Sequence, residues 1–284
     1  MKLVTYLTDN GELRPGVSSG NSIVDLLGTD ATLPDNVRSI LAFEALEQVA
    51  AAVASPKAVH VENAVLRAPI PDPQKIICIG LNYRNHAVES GMAIPEEPIV
   101  FCKYPSAVTG PEQPIQLPSL SSENDYEAEL VAVIGRRAKN VPESQAMDYV
   151  AGYTVGNDVS ARDWQLKKPG GQWMLGKTFD TFAPIGPALV TKDEISDPEN
   201  LAIKLRLNGE TMQDSTTSEL IFGIRYLVAY LSQVFTLEPG DLLFTGTPPG
   251  VGFARKPQVF LKPGDLCEVE IEGLGILRNS CEQD

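Results

Sequence analysis

Hydrophobic and polar residues alternate over Lys2 to Leu7, the period of a strand with one face on a core, and a short apolar run follows from Ser22 to Leu27. From Val37 to Ala54 the period changes. Ile40, Leu41, Ala45, Val49 and Val53 recur at roughly helical intervals on an alanine-rich background, which predicts one helix. The cluster Ala68-Pro69-Ile70-Pro71-Asp72-Pro73 suits neither a helix nor a central strand, because each proline lacks an amide N–H. It places a boundary at about residue 70, between a small N-terminal α+β domain (1–70) and a second domain (71–284).

Beyond the boundary, strand patterns dominate. Lys75 to Gly80 reads as a short buried strand, and YEAELVAVI, Tyr126 to Ile134, alternates and then turns continuously apolar, as a half-buried strand entering a core does. Pro-Gly-Asp occurs at 239–241 and again at 263–265, each time ending a turn and launching a strand. One helix interrupts the strands: Leu220, Ile221, Ile224, Leu227, Val228, Leu231, Val234 and Phe235 form an apolar face, with Thr216 to Glu219 as a capping box before it. The expected class is a β-rich α+β fold.

Composition narrows the function. The chain has 284 residues, 43% hydrophobic and 21% charged, enough for a core that needs no staples. A formal charge of −14 repels phosphate backbones, so nucleic acid is not an expected partner, and an anionic small molecule needs a metal or local cations to bind. Cys78, Cys102, Cys267 and Cys281 form no C-x-x-C pair and read as free thiols of a reducing compartment. No run approaches the roughly 18 apolar residues of a membrane span. The first residues show neither an apolar nor an arginine-rich leader, so a cytoplasmic location is expected.

Glu127 and Glu129, two apart on a strand, point to one face. By itself such a pair reads as a solvated strand face. Asp158, where the apolar run YVAGYTVG ends in a polar loop, adds a third carboxylate, and only His60 and His86 exist in the chain. Three carboxylates with so few histidines describe an oxygen-ligated hard cation, Mg²⁺ or Mn²⁺, with Ca²⁺ behind them and zinc disfavoured. His60 lies in an alternating stretch and reads as structural. His86 and Glu89, one helical turn apart, can form a base and its orienting carboxylate, and Gly80 and Gly91 bracket them as the ends of a lid. Arg162 follows Asp158 by four residues, and Lys177 stands in an apolar stretch where a cation needs a partner. The loop Thr245 to Gly252 is either a rigid turn or a glycine-rich anion cradle; it lacks the Gly-Lys-Ser/Thr ending of a P-loop. A literal G-x-S-x-G at 16–20 has no strand-turn-helix context and no histidine partner, which argues against a serine hydrolase.

Taken in order, GLNYRNHAVESG, DYEAELVAVIG, GNDVSARDWQ, GQWMLGKTFDTFAPIGP and FTGTPPGVG closely resemble the fumarylacetoacetate hydrolase superfamily over about residues 70 to 280. The resemblance is greatest to members with a short N-terminal domain, and it implies a mixed β-sheet roll or barrel assembled as a homodimer. It implies that Glu127, Glu129 and Asp158 hold Mg²⁺ or Mn²⁺, that Lys177 lies near the metal-bound oxygens, and that His86 and Glu89 are the lid dyad. Arg162, Gln165 and Thr247 match substrate-side positions. The implied activity is hydrolysis of a C–C bond in an acylpyruvate or related 2,4-diketo acid through a metal-bound enolate. The alternatives are oxaloacetate keto–enol tautomerisation or decarboxylation at the same site, or a non-catalytic binding protein that keeps the fold.

Overall fold

The structure is a computed structural model that describes residues 1–89 and 91–284; of the features read from sequence, the segment between Gly80 and Gly91 contains the one residue outside that range, Ser90. Its centre is the strand Ala128–Ile134, all seven residues of which are buried. The sequence pattern suggested a half-buried strand. Both faces are covered instead, because Ala128, Leu130, Ala132 and Ile134 point into one hydrophobic cluster while Val131 and Val133 point into another.

This strand sits inside a large mixed sheet. In spatial order its members are Val59–Glu62, Ser22–Asp25, Leu13–Ser19, Lys2–Leu7, Ala183–Thr191, Val150–Asn157, Ala128–Ile134, Leu242–Phe244, Ile76–Gly80 and Ile99–Lys103. Val65–Arg67 pairs with Lys2–Leu7, and Val108–Thr109 pairs with Ala183–Thr191. Most neighbours are antiparallel, but Leu242–Phe244 runs parallel to Ile76–Gly80. A second sheet orders Glu210–Thr216, Ala202–Leu207, Leu266–Ile271, Gly275–Gln283 and Ile115–Leu117. Among the described residues neither sheet closes on itself, so the β-rich α+β class is present as open, packed sheets and not as a closed barrel.

The N-terminal strands join the large sheet through the pairing of Lys2 with Val190 and Leu3 with Leu189. One hydrophobic cluster likewise combines Leu3, Ile40 and Val49 with Val131, Ile185 and Phe244. The proline cluster from Ala68 to Pro73 links Val65–Arg67 to Ile76–Gly80.

Two helices depart from the sequence pattern. The expected helix over 37–54 is two helices, Val37–Ala42 and Leu46–Val53. The break is at Glu44, whose φ of 53° is left-handed, and the amides of Phe43, Glu44 and Ala45 turn back onto Ser39, Leu41 and Ile40 carbonyls. Alanine-rich helical periodicity cannot reveal it, since both halves keep their apolar face on the same core. The later helix spans Ile224–Val234 and starts at Gly223. Thr216 caps only a short 3₁₀ turn by accepting from the Ser218 amide, while Glu199 accepts from the Ile224 amide. The partner at the helix start therefore comes from another segment.

The two Pro-Gly-Asp turns use one device. Gly240 and Gly264 take φ of 85° and 91°, and Asp241 and Asp265 each accept from the amide three residues earlier, at 2.7 and 2.8 Å. Asp241 also accepts from the Lys75 amide at 3.0 Å and pairs with the Lys75 ammonium at 2.7 Å, which holds Leu242–Phe244 beside Ile76–Gly80.

Close approach of strands makes one glycine indispensable. A Cβ on Gly152 would lie 2.0 Å from the carbonyl oxygen of Val190 and 2.8 Å from the Thr191 Cα. Gly152→Ala is therefore expected to destabilise the protein by about 1–3 kcal/mol or more, measured as a lower midpoint in urea unfolding.

Candidate active site

Strand register brings the three carboxylates together. Ala128 faces Asn157 and Glu129 faces Gly156 across the Ala128–Ile134 and Val150–Asn157 pair, so Asp158 emerges beside Glu127. The Asp158 amide donates to the Glu127 carbonyl at 2.8 Å, and the Asn157 side-chain oxygen accepts from the Glu127 amide at 2.9 Å. One oxygen from each of Glu127, Glu129 and Asp158 lies within 4.8 Å of the others, and all three residues are buried.

Carboxylates this close and this dry need positive charge. Lys177, at the end of the short helix Trp173–Lys177, supplies it to two of them: Nζ lies 2.7 Å from Glu127 and 3.0 Å from Asp158. Arg162 reaches the other Glu127 oxygen at 2.7 Å, pairs with Asp125 at 2.8 Å and donates to Gln165 Oε1 at 3.0 Å. Lys103, at the end of Ile99–Lys103, contacts Asp158 at 2.6 Å and donates to the carbonyls of Val159, Phe182 and Lys177. Four carboxylates, counting Asp125, thus meet three cations, a deficit of one positive charge.

The deficit falls on Glu129. Burial, and then the nearby charges of Asp158 and Glu127, push its carboxyl well above the usual range, although it accepts from the Gly246 amide at 2.7 Å. Glu127 goes the other way: burial alone would raise it, but Lys177 and Arg162 hold it down to about 2. Burial likewise opposes the charged form of Lys177, yet Asp158 and Glu127 outweigh it and raise the ammonium above its ordinary value. For Lys103 burial dominates and lowers the pKa, with Asp158 pulling against it.

This donor set fits a hard divalent cation. Three convergent carboxylate oxygens without nitrogen or sulfur suit Mg²⁺ or Mn²⁺. A dication would turn the deficit of one charge into an excess of one, which favours an anionic ligand next to it.

A cavity of about 150 Å³ opens beside the carboxylates, small against the roughly 300–1,000 Å³ of drug-sized sites. Its polar lining comprises His86, Glu127, Glu129, Arg162, Gln165, Lys177 and Thr247, while Met92, Phe101, Leu166, Trp173 and Phe253 form an apolar wall. Of the nine candidate site residues, seven thus share this cavity, and the other two adjoin it. Asp158 lies behind Lys177. Glu89 lies behind His86 on the helix Arg84–Glu89, with its carboxylate 3.5 Å from His86 Nδ1. Burial tends to raise Glu89, but the contact with His86 and the Gly250 amide, which reaches both its oxygens, hold it below the ordinary carboxylate range. Thr247 Oγ1 accepts from Gln213 at 2.9 Å, and the loop after Leu242–Phe244 presents its Gly246 and Gly250 amides to carboxylates of the protein itself. His60 sits on the strand Val59–Glu62, hydrogen-bonded to Ser22 at 3.1 Å.

Two residues of this network escaped the sequence reading. Lys103 carries the same signal that singled out Lys177, a cation in an apolar run, and could have been found by it. Asp125 accepts from Arg162 and from the Gly252 and Phe253 amides at 2.7 and 3.0 Å; these three partners lie 37 to 128 residues away, so no local spacing marks it.

Comparison with known proteins gives the family. Residues 75–282 match the family described as fumarylacetoacetate (FAA) hydrolase, C-terminal. The chain is 53% identical, over 99% of its length and 97% of the relative, to a fumarylacetoacetate hydrolase domain-containing protein 2 homolog of Dictyostelium discoideum. It is 50% identical, over 98% of its length and 89% of the relative, to a mitochondrial oxaloacetate tautomerase of Xenopus laevis. That relative's compartment differs from the cytoplasmic location expected from sequence. Among solved structures, a fumarylacetoacetate hydrolase from Exiguobacterium antarcticum superposes with a TM-score of 0.89 at 34% identity, each chain covered in full. Among the described residues no helix is long and apolar enough to cross a membrane.

Two outcomes follow from the charge network. Lys103→Met removes one of the two cations on Asp158 and the donor to three carbonyls, and is expected to cost about 3–5 kcal/mol in urea unfolding. For Glu129 the raised value means that protons compete with a cation as pH falls, so the increase in Tm given by Mn²⁺ should be larger at about pH 8 than at about pH 5.5. Glu127 has the opposite sign: its stabilisation is complete above the ordinary 4.5 and fades only as pH falls towards about 2, outside that comparison.

Proposed function

This chain belongs to the fumarylacetoacetate hydrolase family, and from that premise we propose that it catalyses keto–enol tautomerisation of oxaloacetate. The observation that carries the reading is the 50% identity, over nearly the whole chain, to a relative named for that activity. The site has the parts the reaction needs.

Tautomerisation moves one proton between C3 and the oxygen on C2 and breaks no C–C bond. His86 Nδ1 faces the Glu89 carboxylate at 3.5 Å, just beyond hydrogen-bond geometry; closing of that gap with substrate bound would keep a proton on Nδ1 and leave the lone pair on Nε2 as the base for the C3 proton. Lys177, whose ammonium form its carboxylate neighbours favour, donates to the C2 oxygen as negative charge grows there. Arg162 and Gln165, bonded to each other, place a second pair of donors on the cavity wall. A divalent cation held by Glu127, Glu129 and Asp158 would supply chelation of the 2-oxo acid and charge neutralisation. Phe101, Trp173 and Phe253 keep the reacting carbons away from water.

A second reading, C–C hydrolysis of an acylpyruvate, is favoured by the apolar wall of Met92, Leu166, Trp173 and Phe253, which suits an acyl tail better than a second carboxylate. The same base would then activate water towards the distal carbonyl. A homodimer is part of the proposal, and light scattering on the purified protein checks it.

With Mg²⁺ or Mn²⁺ present, loss of enol-oxaloacetate absorbance should accelerate without release of pyruvate. His86→Ala should lower kcat by at least about 100-fold. Pyruvate together with a carboxylic acid from acylpyruvates would establish the hydrolase in its place, and CO₂ with pyruvate from oxaloacetate the decarboxylase.

A further inference from the structure

The base has a support that reaches beyond its orienting carboxylate. The helix Arg84–Glu89 has six residues, too few to hold itself in water, so its position depends on what it docks against. Its N-terminal end is fixed by Asn82, whose side chain donates to the Phe222 and Thr245 carbonyls at 3.0 and 2.7 Å. At its other end, Glu89 spans 161 residues to accept the Gly250 amide on both oxygens, at 3.0 and 3.1 Å.

Gly250 is itself clamped. Its φ is 104°, and a Cβ there would lie 2.2 Å from the Met212 carbonyl oxygen, so only glycine fits. Its own carbonyl accepts from Arg255 Nε at 3.3 Å and from the Tyr126 hydroxyl at 3.2 Å. Arg255 then donates through Nη2 to the Met212 carbonyl at 2.6 Å, on the strand Glu210–Thr216. Arg255 is not among the residues lining the cavity.

We propose that Arg255 is a positioning residue: by tying the Gly250 carbonyl to the strand Glu210–Thr216, it aims the Gly250 amide at Glu89 and so docks the His86 helix over the cavity. The guanidinium spans two carbonyls of segments that must stay in register, a job its planar fork performs and a neutral side chain does not. The contact it aims is charge-assisted, because an N–H meets a carboxylate, and is stronger than a neutral hydrogen bond. A displacement of the base by about 1 Å is enough to cost up to about 100-fold in rate. The part of the inference that concerns rate rests on the reading of His86 as the base; the docking of the helix does not.

The test pairs hydrogen exchange with kinetics on the full-length protein. Arg255→Met should speed amide exchange in peptides covering residues 84–89, and lower kcat by about 10- to 100-fold while leaving KM within about twofold. Arg255→Lys should recover part of both. In a Glu89→Ala background, Arg255→Met should change neither exchange over 84–89 nor kcat any further, since the contact it aims is already gone. Wild-type exchange in Arg255→Met, or losses that add in the double variant, would overturn the proposal. If Arg255→Met does not fold, Arg255→Lys, which keeps the charge and loses the fork, provides the same readout: exchange over 84–89 faster than wild type supports the proposal and wild-type exchange overturns it. Exchange needs no turnover, so an absence of oxaloacetate activity in the wild type would count against the reaction and leave the docking result to stand by its own outcome.

Discussion

Everything in this site depends on four carboxylates buried in one place. Asp125, Glu127, Glu129 and Asp158 are each almost wholly removed from water, and charges of one sign can be buried together only if matched cations are buried with them. Lys103, Lys177 and Arg162 meet that demand and leave one negative charge uncompensated at Glu129. That imbalance suits a divalent cation, and an anionic ligand beside one.

The fold serves the cluster by converging strand ends on it. Ala128–Ile134 is buried on both faces and cannot shift register without moving its whole apolar set, so the carboxylate of Glu129 and that of Glu127 just before it are placed by the core itself. Leu242–Phe244 delivers the loop whose amides meet Glu129 at Gly246 and Glu89 at Gly250. That loop therefore touches the carboxylate cluster at one end and the helix Arg84–Glu89 at the other. A glycine-rich loop that could have cradled a ligand's anion instead turns two of its amides on the protein's own carboxylates.

Much of this was legible in the chain. The Glu127 and Glu129 pair, Asp158 after an apolar run, and His86 one turn before Glu89 are local patterns, and strand or helix geometry alone brings each set onto one face. Lys177 was legible because a cation in an apolar stretch is costly unless paired, and the same reasoning applied to Lys103 would have found it. The helix break at Glu44 was not legible, because the apolar face continues on both sides of it. The cap of the helix Ile224–Val234 was misplaced because Glu199, its actual partner, comes from another segment and not from the Thr216 to Glu219 box.

By itself, the sequence determined the β-rich class and the oxygen-donor character of the carboxylate cluster, since those follow from side-chain chemistry at short spacing, while the family was legible only through the resemblance of five motifs taken in order. Tertiary structure alone decided the balance of charges and contacts at the site. Which carboxylate stays short of charge, how Asp125 joins Arg162 to the loop, and what holds Glu89 against Gly250 all depend on contacts between residues tens to more than a hundred positions apart. Electrostatic energies in a dry interior vary with distances of a few ångströms, and only the folded chain sets those distances.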